Sequence, residues 1–213
     1  MRKTKRRSRN EALQRYEKHR RRNLLSTPGV HDFIIVLDHL KAGFNVPKIF
    51  RSAEAFGAHE IHLIDIGPFD PSPAKGAFKT VPARPFDTFE KSYADLKERG
   101  YTLFTLEADL GELLTSAEFP KKSAFIFGHE EMGISFDPSL YPEIRRLSIP
   151  QYGRIESLNV SIAASVVMYE YVRKRRYGTP VNRPAPVTRD GDPQDKIRRN
   201  RRKSLSNKNE LDI

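Results

Sequence analysis

Phe33-Ile34-Ile35-Val36-Leu37 is an uninterrupted apolar run with no polar residue on either alternating face. A membrane span takes about 20 such residues, and no stretch of this chain approaches that length. A short unbroken run is instead the mark of a strand buried on both faces, as in a parallel sheet sandwiched between helices. Comparable runs stand at Ile61 to Ile66, Tyr101 to Leu106, Ala124 to Phe127 and, more briefly, Leu147 to Ile149. Segments with helical spacing alternate with them: Pro47 to Phe56, stopped by Gly57, and Phe86 to Arg99, stopped by Gly100. Gly67 to Pro85 is rich in proline and reads as loop. A last helix is expected from Ser157 to Arg176. Its apolar residues, among them Val160, Ile162, Val166, Met168 and Tyr171, surround the axis and imply burial on several sides. In so small a domain, a second subunit is a natural cover for one of those sides. The alternation predicts an α/β fold with a mainly parallel sheet, whose ligands gather at the carboxyl ends of the strands.

Charge divides the chain of 213 residues, net +11, into three parts. Residues 1–23 carry 11 Lys/Arg against 2 acids, residues 173–213 carry 13 against 5, and the stretch between them is net −6. A mildly acidic body with two basic ends suits a polyanion, and nucleic acid is the common one. Ser26-Thr27-Pro28-Gly29 marks a boundary. The expected organisation is a basic extension over 1–29, of which 1–23 are either helical or disordered until nucleic acid binds, a domain over 30–177, and a flexible basic tail over 178–213. No apolar run follows the basic N-terminus, so no signal peptide is expected, and cytoplasmic residence with no membrane partner is the reading. Without cysteine there are no disulfides or thiolate metal sites, and no second histidine stands at ligand spacing from His129, so no metal is expected.

Three loops are unusual. In Gly43-Phe44-Asn45-Val46-Pro47, Asn45 and Pro47 suit a helix N-cap and first turn, and Arg51 follows on an otherwise apolar helix. In Phe127-Gly128-His129-Glu130-Glu131-Met132-Gly133, the glycine after a strand permits close approach to the backbone, and Glu130 is placed to accept hydrogen bonds. In Ile149-Pro150-Gln151-Tyr152-Gly153 through Ser157-Leu158-Asn159, polar residues open a very apolar helix; an N-cap role explains Ser157 but leaves Asn159 unexplained.

Together these segments, Asn45 to Arg51 with Ala53-Glu54-Ala55-Phe56-Gly57, FGHE with Gly133, and IP…ESLNVSIAAS, resemble the three motifs of the SpoU (TrmH-like) RNA 2'-O-ribose methyltransferases of the SPOUT superfamily. The resemblance spans about residues 33 to 172. It departs at Val46-Pro47-Lys48, where the family usually has small residues, although the spacing to Arg51 is kept. The resemblance implies a Rossmann-like α/β fold with a C-terminal deep trefoil knot, an exception to the usual rules of chain connection. It implies S-adenosylmethionine as cofactor, contacted by Leu106, Gly128, Ile149, Ser157 and Leu158. Catalytic roles fall to Arg51, with Asn45, Glu130 and Asn159 around it, the substrate is RNA (tRNA first, rRNA possible), and the enzyme is a homodimer through its last helix. The rival reading is a non-catalytic RNA-binding or ribosome-assembly protein on the same fold. A DNA-binding protein has only the basic ends in its favour.

Overall fold

The computed structural model describes residues 2–107, 111–155 and 157–176; the expected tail over 178–213 lies outside the described residues. Seven strands, β1 (Phe33–Asp38), β2 (Glu60–Ile64), β3 (Ala83–Phe86), β4 (Thr102–Leu106), β5 (Glu112–Leu113), β6 (Ser123–Phe127) and β7 (Arg145–Ser148), form one sheet. Their order is β3-β2-β1-β6-β4-β7-β5 and every pairing is parallel. The helices are α1 (Arg2–Asn23), α2 (Asn45–Ala55), α3 (Phe89–Glu98) and α4 (Val160–Arg176).

The unbroken apolar run becomes β1, whose six residues are all buried in the middle of the sheet. Phe33, Ile35 and Leu37 face α2 and α4, while Ile34 and Val36 face α3 and the segment holding Phe136 and Tyr141. Two elements depart from the pattern. β3 occupies residues assigned above to a loop and to a helix start, so α3 begins at Phe89 and not at Phe86. Pro85 is tolerated there because β3 is an edge strand, with a free side that needs no N–H donor. β5, at the opposite edge, is two residues long and leaves no periodic signal.

The basic N-terminal segment is a helix, and from Tyr16 onward it is docked. Tyr16 packs on Phe69 and Phe78 at ring-centroid distances of 5.2 and 5.4 Å. Phe69 and Phe78 belong to the β2–β3 connection, which includes the 3-10 turns Ser72–Ala74 and Ala77–Lys79. Asn23, 3% exposed, donates to the carbonyls of Phe78 and Val81 and accepts from the Ala83 amide. Arg20 donates to the Ala83 carbonyl at 2.9 Å, and Arg15 pairs with Asp70.

At the opposite end of the strands from the loops that carry the motifs, Glu60, His62 and Asp95 lie close enough to hold a metal ion. Arg84 and Arg99 already occupy those carboxylates: Arg84 binds both Asp95 oxygens, at 2.7 and 2.8 Å, and Arg99 binds Glu60 and Asp95. His62 bridges Glu60 and Ser92 at 2.9 and 2.8 Å. Burial pushes the Glu60 carboxyl up, but hydrogen bonds from His62 and Arg99 outweigh it and hold the group at about 2. A depressed carboxylate stabilises the fold above its unfolded value near 4.5 and loses that contribution as pH falls through about 2. Glu60→Gln is therefore expected to lower the unfolding free energy at pH 7 by roughly 3 kcal/mol. It should also flatten the fall in stability between pH 4.5 and 2. Urea titrations across that range check this, and parallel profiles for the two proteins would contradict it.

Candidate active site

Because the strands are parallel, the three unusual loops leave the same edge of the sheet. The first enters α2, where the structure corrects the reading of Asn45 as an N-cap. Phe44 holds the cap position and Asn45 is already helical. Pro47 sits in the first turn, where N–H groups have no partner within the helix, so the departure from small residues leaves the helix start intact. Freed from capping, the Asn45 side chain donates through Nδ2 to Glu130 Oε1 at 2.6 Å and accepts through Oδ1 from Asn159 Nδ2 at 3.3 Å.

The third loop is corrected in the opposite sense. α4 starts at Val160, so Ser157 and Leu158 lie outside the helix and Asn159 is its cap. Asn159 Oδ1 accepts from the Ser161 amide at 3.0 Å and from Ser161 Oγ at 2.6 Å. A cap of this kind is worth about 1 kcal/mol. It also fixes the amide, so that Nδ2 has to point at Asn45. Ser161, Asn159, Asn45 and Glu130 thus form one directed chain of hydrogen bonds across three loops.

The second loop folds back tightly. His129 and Gly133 exchange two backbone hydrogen bonds, and Gly133 takes φ 73°. A Cβ on Gly128 would lie 2.4 Å from the Gly133 carbonyl carbon, so only glycine fits. His129 has a structural duty: its Nδ1 accepts from the amides of Glu131 and Met132 at 3.0 and 3.3 Å. Lys41 of the first loop pairs with Glu131 at 2.8 Å.

A second polar group, overlooked in the sequence, pins these loops from below. Asp38, fully buried at the end of β1, accepts from the Ser135 amide, Ser135 Oγ and His39 Nδ1 at 2.6, 2.8 and 2.9 Å. His39 reaches Asp65, after β2, through Nε2 at 3.3 Å. The signal was a lone acid closing a run buried on both faces, where an uncompensated charge is not tolerated.

Arg51 stands on the exposed side of α2, one turn beyond Lys48, and is joined to neither Glu130 nor Asn159 among the described residues. The next residue, Ser52, meets Ser165 of α4 at 2.8 Å. Leu106 closes β4, and Gly128 and Ile149 follow β6 and β7; the three strands are neighbours in the sheet, and all three residues are half-buried. Ser157 is exposed, as is Leu158 at 38%. α4 is not buried all round: Ile162 and Tyr169 are 53% and 57% exposed on one stripe with half-buried Val166. No helix among the described residues is long and apolar enough to cross a membrane.

The model of the SpoU rRNA Methylase family matches residues 32–169. A tRNA (guanosine(18)-2'-O)-methyltransferase of Thermus thermophilus is 30% identical over 150 residues, covering 68% of this chain and 76% of that protein. The 23S rRNA (guanosine-2'-O-)-methyltransferase RlmB of Nitrosomonas europaea is 32% identical over 162 residues, covering 72% of this chain and 61% of RlmB. Among solved structures, the SpoU methyltransferase AviRb from Streptomyces viridochromogenes, in complex with AdoMet, matches with TM-score 0.62 and 26% identity, over 71% of this chain and 61% of that one. With its motifs gathered at one edge of a parallel sheet, and with these relatives, the chain belongs to the SpoU rRNA methylase family.

Proposed function

We propose that this chain transfers a methyl group from S-adenosylmethionine to a ribose 2'-hydroxyl of RNA, with tRNA as the first substrate and rRNA as the alternative. The observation that carries the reading is the directed hydrogen-bond chain from Ser161 to Glu130, which locks three motif loops into one edge. The donor's place fits the side-by-side ends of β6, β4 and β7. Leu106 and Ile149 offer apolar contact, Gly128 brings its backbone to the same edge at the end of β6, and Ser157 and Leu158 directly precede the Asn159 cap of α4. When bound, S-adenosylmethionine supplies an electrophilic methyl group on a sulfonium.

The chain's own task is to make a weak nucleophile attack. The hydroxyl must lose its proton as the carbon–oxygen bond forms. Arg51 cannot take that proton, since a guanidinium is a donor with no lone pair to accept one. It serves instead by orienting a phosphate and stabilising charge on the 2'-oxygen, with the proton passing to the RNA or to solvent. Asn45, Glu130 and Asn159 act on the loops and on the ribose, holding the start of α2 against the start of α4. The β4–β5 connection skips across β7, and a Cβ on Gly111 would lie 2.5 Å from the Arg146 carbonyl oxygen. We infer that the chain after β7 forms the C-terminal trefoil knot that the family resemblance implies. The stripe of Ile162, Val166 and Tyr169 is the surface of a homodimer through α4.

Labelled methyl transfer to total RNA, separated by size, tests the reading. Label is expected in the tRNA band, and Arg51→Ala should reduce it by about 10²- to 10³-fold. Arg51→Lys keeps the charge but not the planar fork, and should remain at least tenfold impaired. Label in rRNA would replace the substrate, and donor binding without label in any RNA would favour an assembly factor. Gly128→Ala, whose Cβ would press on the Gly133 carbonyl, should weaken donor binding in calorimetry and also lower the melting temperature. Ile162→Glu with Tyr169→Glu should convert a dimer to a monomer in sedimentation; a native protein that sediments as a monomer at micromolar concentration would refute the dimer.

A further inference from the structure

The docked face of α1 uses only part of its charge. Arg15 and Arg20 are engaged, with Asp70 and with the Ala83 carbonyl. Lys18 and Arg22 are exposed and have no ion-pair partner among the described residues. With Arg15 and His19 they fall at i, i+3, i+4 and i+7 and share one face, beside the stripe of Tyr16, Arg20 and Asn23 that docks. Lys79, on the 3-10 turn against which α1 packs, adds a further cation. His19 sits among them, half-buried, and its Nδ1 is the one buried side-chain polar atom without a partner among the described residues. Burial lowers the affinity of His19 for a proton, and Lys79, Arg22, Lys18 and Arg15 each lower it further. Asp70, the acid paired with this group, is already taken by Arg15 and Ser72, and Glu11, one turn before Arg15 on the same face, is the other acid beside it. A cation cluster of this density calls for an external counter-charge.

The position is not arbitrary. Tyr16 packs on Phe78, Phe78 packs edge-to-face on Phe50 at 5.0 Å, and Phe50 is the residue before Arg51. Phe69 closes the group, 5.9 Å from Phe50 and 4.9 Å from Phe78. Four rings in contact hold α1 to α2 through a close-packed core, which transmits position with little give.

We propose that the face of α1 bearing Lys18, His19 and Arg22, together with Lys79, is a seat for the phosphate backbone of the substrate RNA, held in fixed register with Arg51 by the Tyr16–Phe78–Phe50 bridge. This rests on the RNA reading above and adds where the RNA lies: it passes over α1 before its target ribose reaches the edge of the sheet. The contacts are to phosphates, so the seat sets orientation and affinity and does not read sequence.

Two full-length variants test it, with tRNA affinity measured between 50 and about 200 mM salt. In the triple variant Lys18→Gln, Arg22→Gln, Lys79→Gln, log K should depend on log salt less steeply by about 2 units. Its melting temperature and donor binding should be unchanged. In Tyr16→Ala every charge remains but the bridge is cut; tRNA methylation is expected to fall at least tenfold in kcat/KM with donor affinity retained. Wild-type salt slope in the triple variant would overturn the seat. Wild-type kcat/KM in Tyr16→Ala would overturn the register, leaving α1 as diffuse charge. Loss of binding to anionic phospholipid vesicles in the triple variant, with tRNA binding intact, would assign the surface to a membrane and reject the proposal. Failure of the native protein to bind any RNA would remove the functional reading itself, and the seat with it.

Discussion

Parallel pairing imposes one direction on seven strands, and the rest of the molecule follows from that direction. Every strand enters from one edge and leaves at the other, so segments more than 100 residues apart in the chain emerge side by side. At the exit edge the backbone has left the sheet's ladder and its polar groups must find other partners. Asn159 supplies one to the Ser161 amide and the buried Asp38 one to the Ser135 amide, while Asn45, Glu130 and Asn159 tie the loops together side chain to side chain. The entry edge is settled by a charge network, in which two arginines neutralise the carboxylates of Glu60 and Asp95. The two ends solve the same problem by different chemistry. At the entry end the polar groups are saturated by ion pairs, whereas at the exit end the arrangement leaves Arg51 and Lys48 facing outward.

The strands buried on both faces were legible because their environment dictates their composition. β1, β4 and β6 have no solvent side on which a polar residue would be favourable. β3 was not legible, because an edge strand with Arg84 and Pro85 shares its residue types with loops. The helix starts were misplaced for a related reason. Asn and Ser are both good caps, and sequence cannot say which of Asn45, Ser157 and Asn159 has a competing partner in space. Asn45 is drawn away by Glu130, 85 residues distant. Ser157 was favoured as the cap over Asn159, and the structure gives the cap to Asn159. The motif residues themselves were found by their order and spacing. Asp38, His39 and Asp65 were not, since an Asp-His pair closing β1 and a single acid after β2 share no spacing that would betray them.

Helix α1 shows how little composition says about docking. A segment with 11 basic residues and few apolar ones is open to a helix or to disorder by composition, and nothing in that composition shows that the helix docks. Three side chains, Tyr16, Arg20 and Asn23, with the Arg15–Asp70 pair beside them, dock its C-terminal half. Low average hydrophobicity limits how much a helix can bury, but not whether it can be placed by a few directed contacts.

Those contacts have a second consequence, for assembly. An edge strand of a sheet exposes a row of backbone donors and acceptors on which another chain's strand can grow. In β3 the outward-facing amide and carbonyl of Ala83 are taken by Asn23 Oδ1 and by the Arg20 guanidinium. Two side chains on a helix thereby imitate the backbone of a missing neighbour, and Pro85 further along has no amide to offer. The helix is a stopper on the open end of the sheet, and it keeps a surface built from parallel strands from templating more of them.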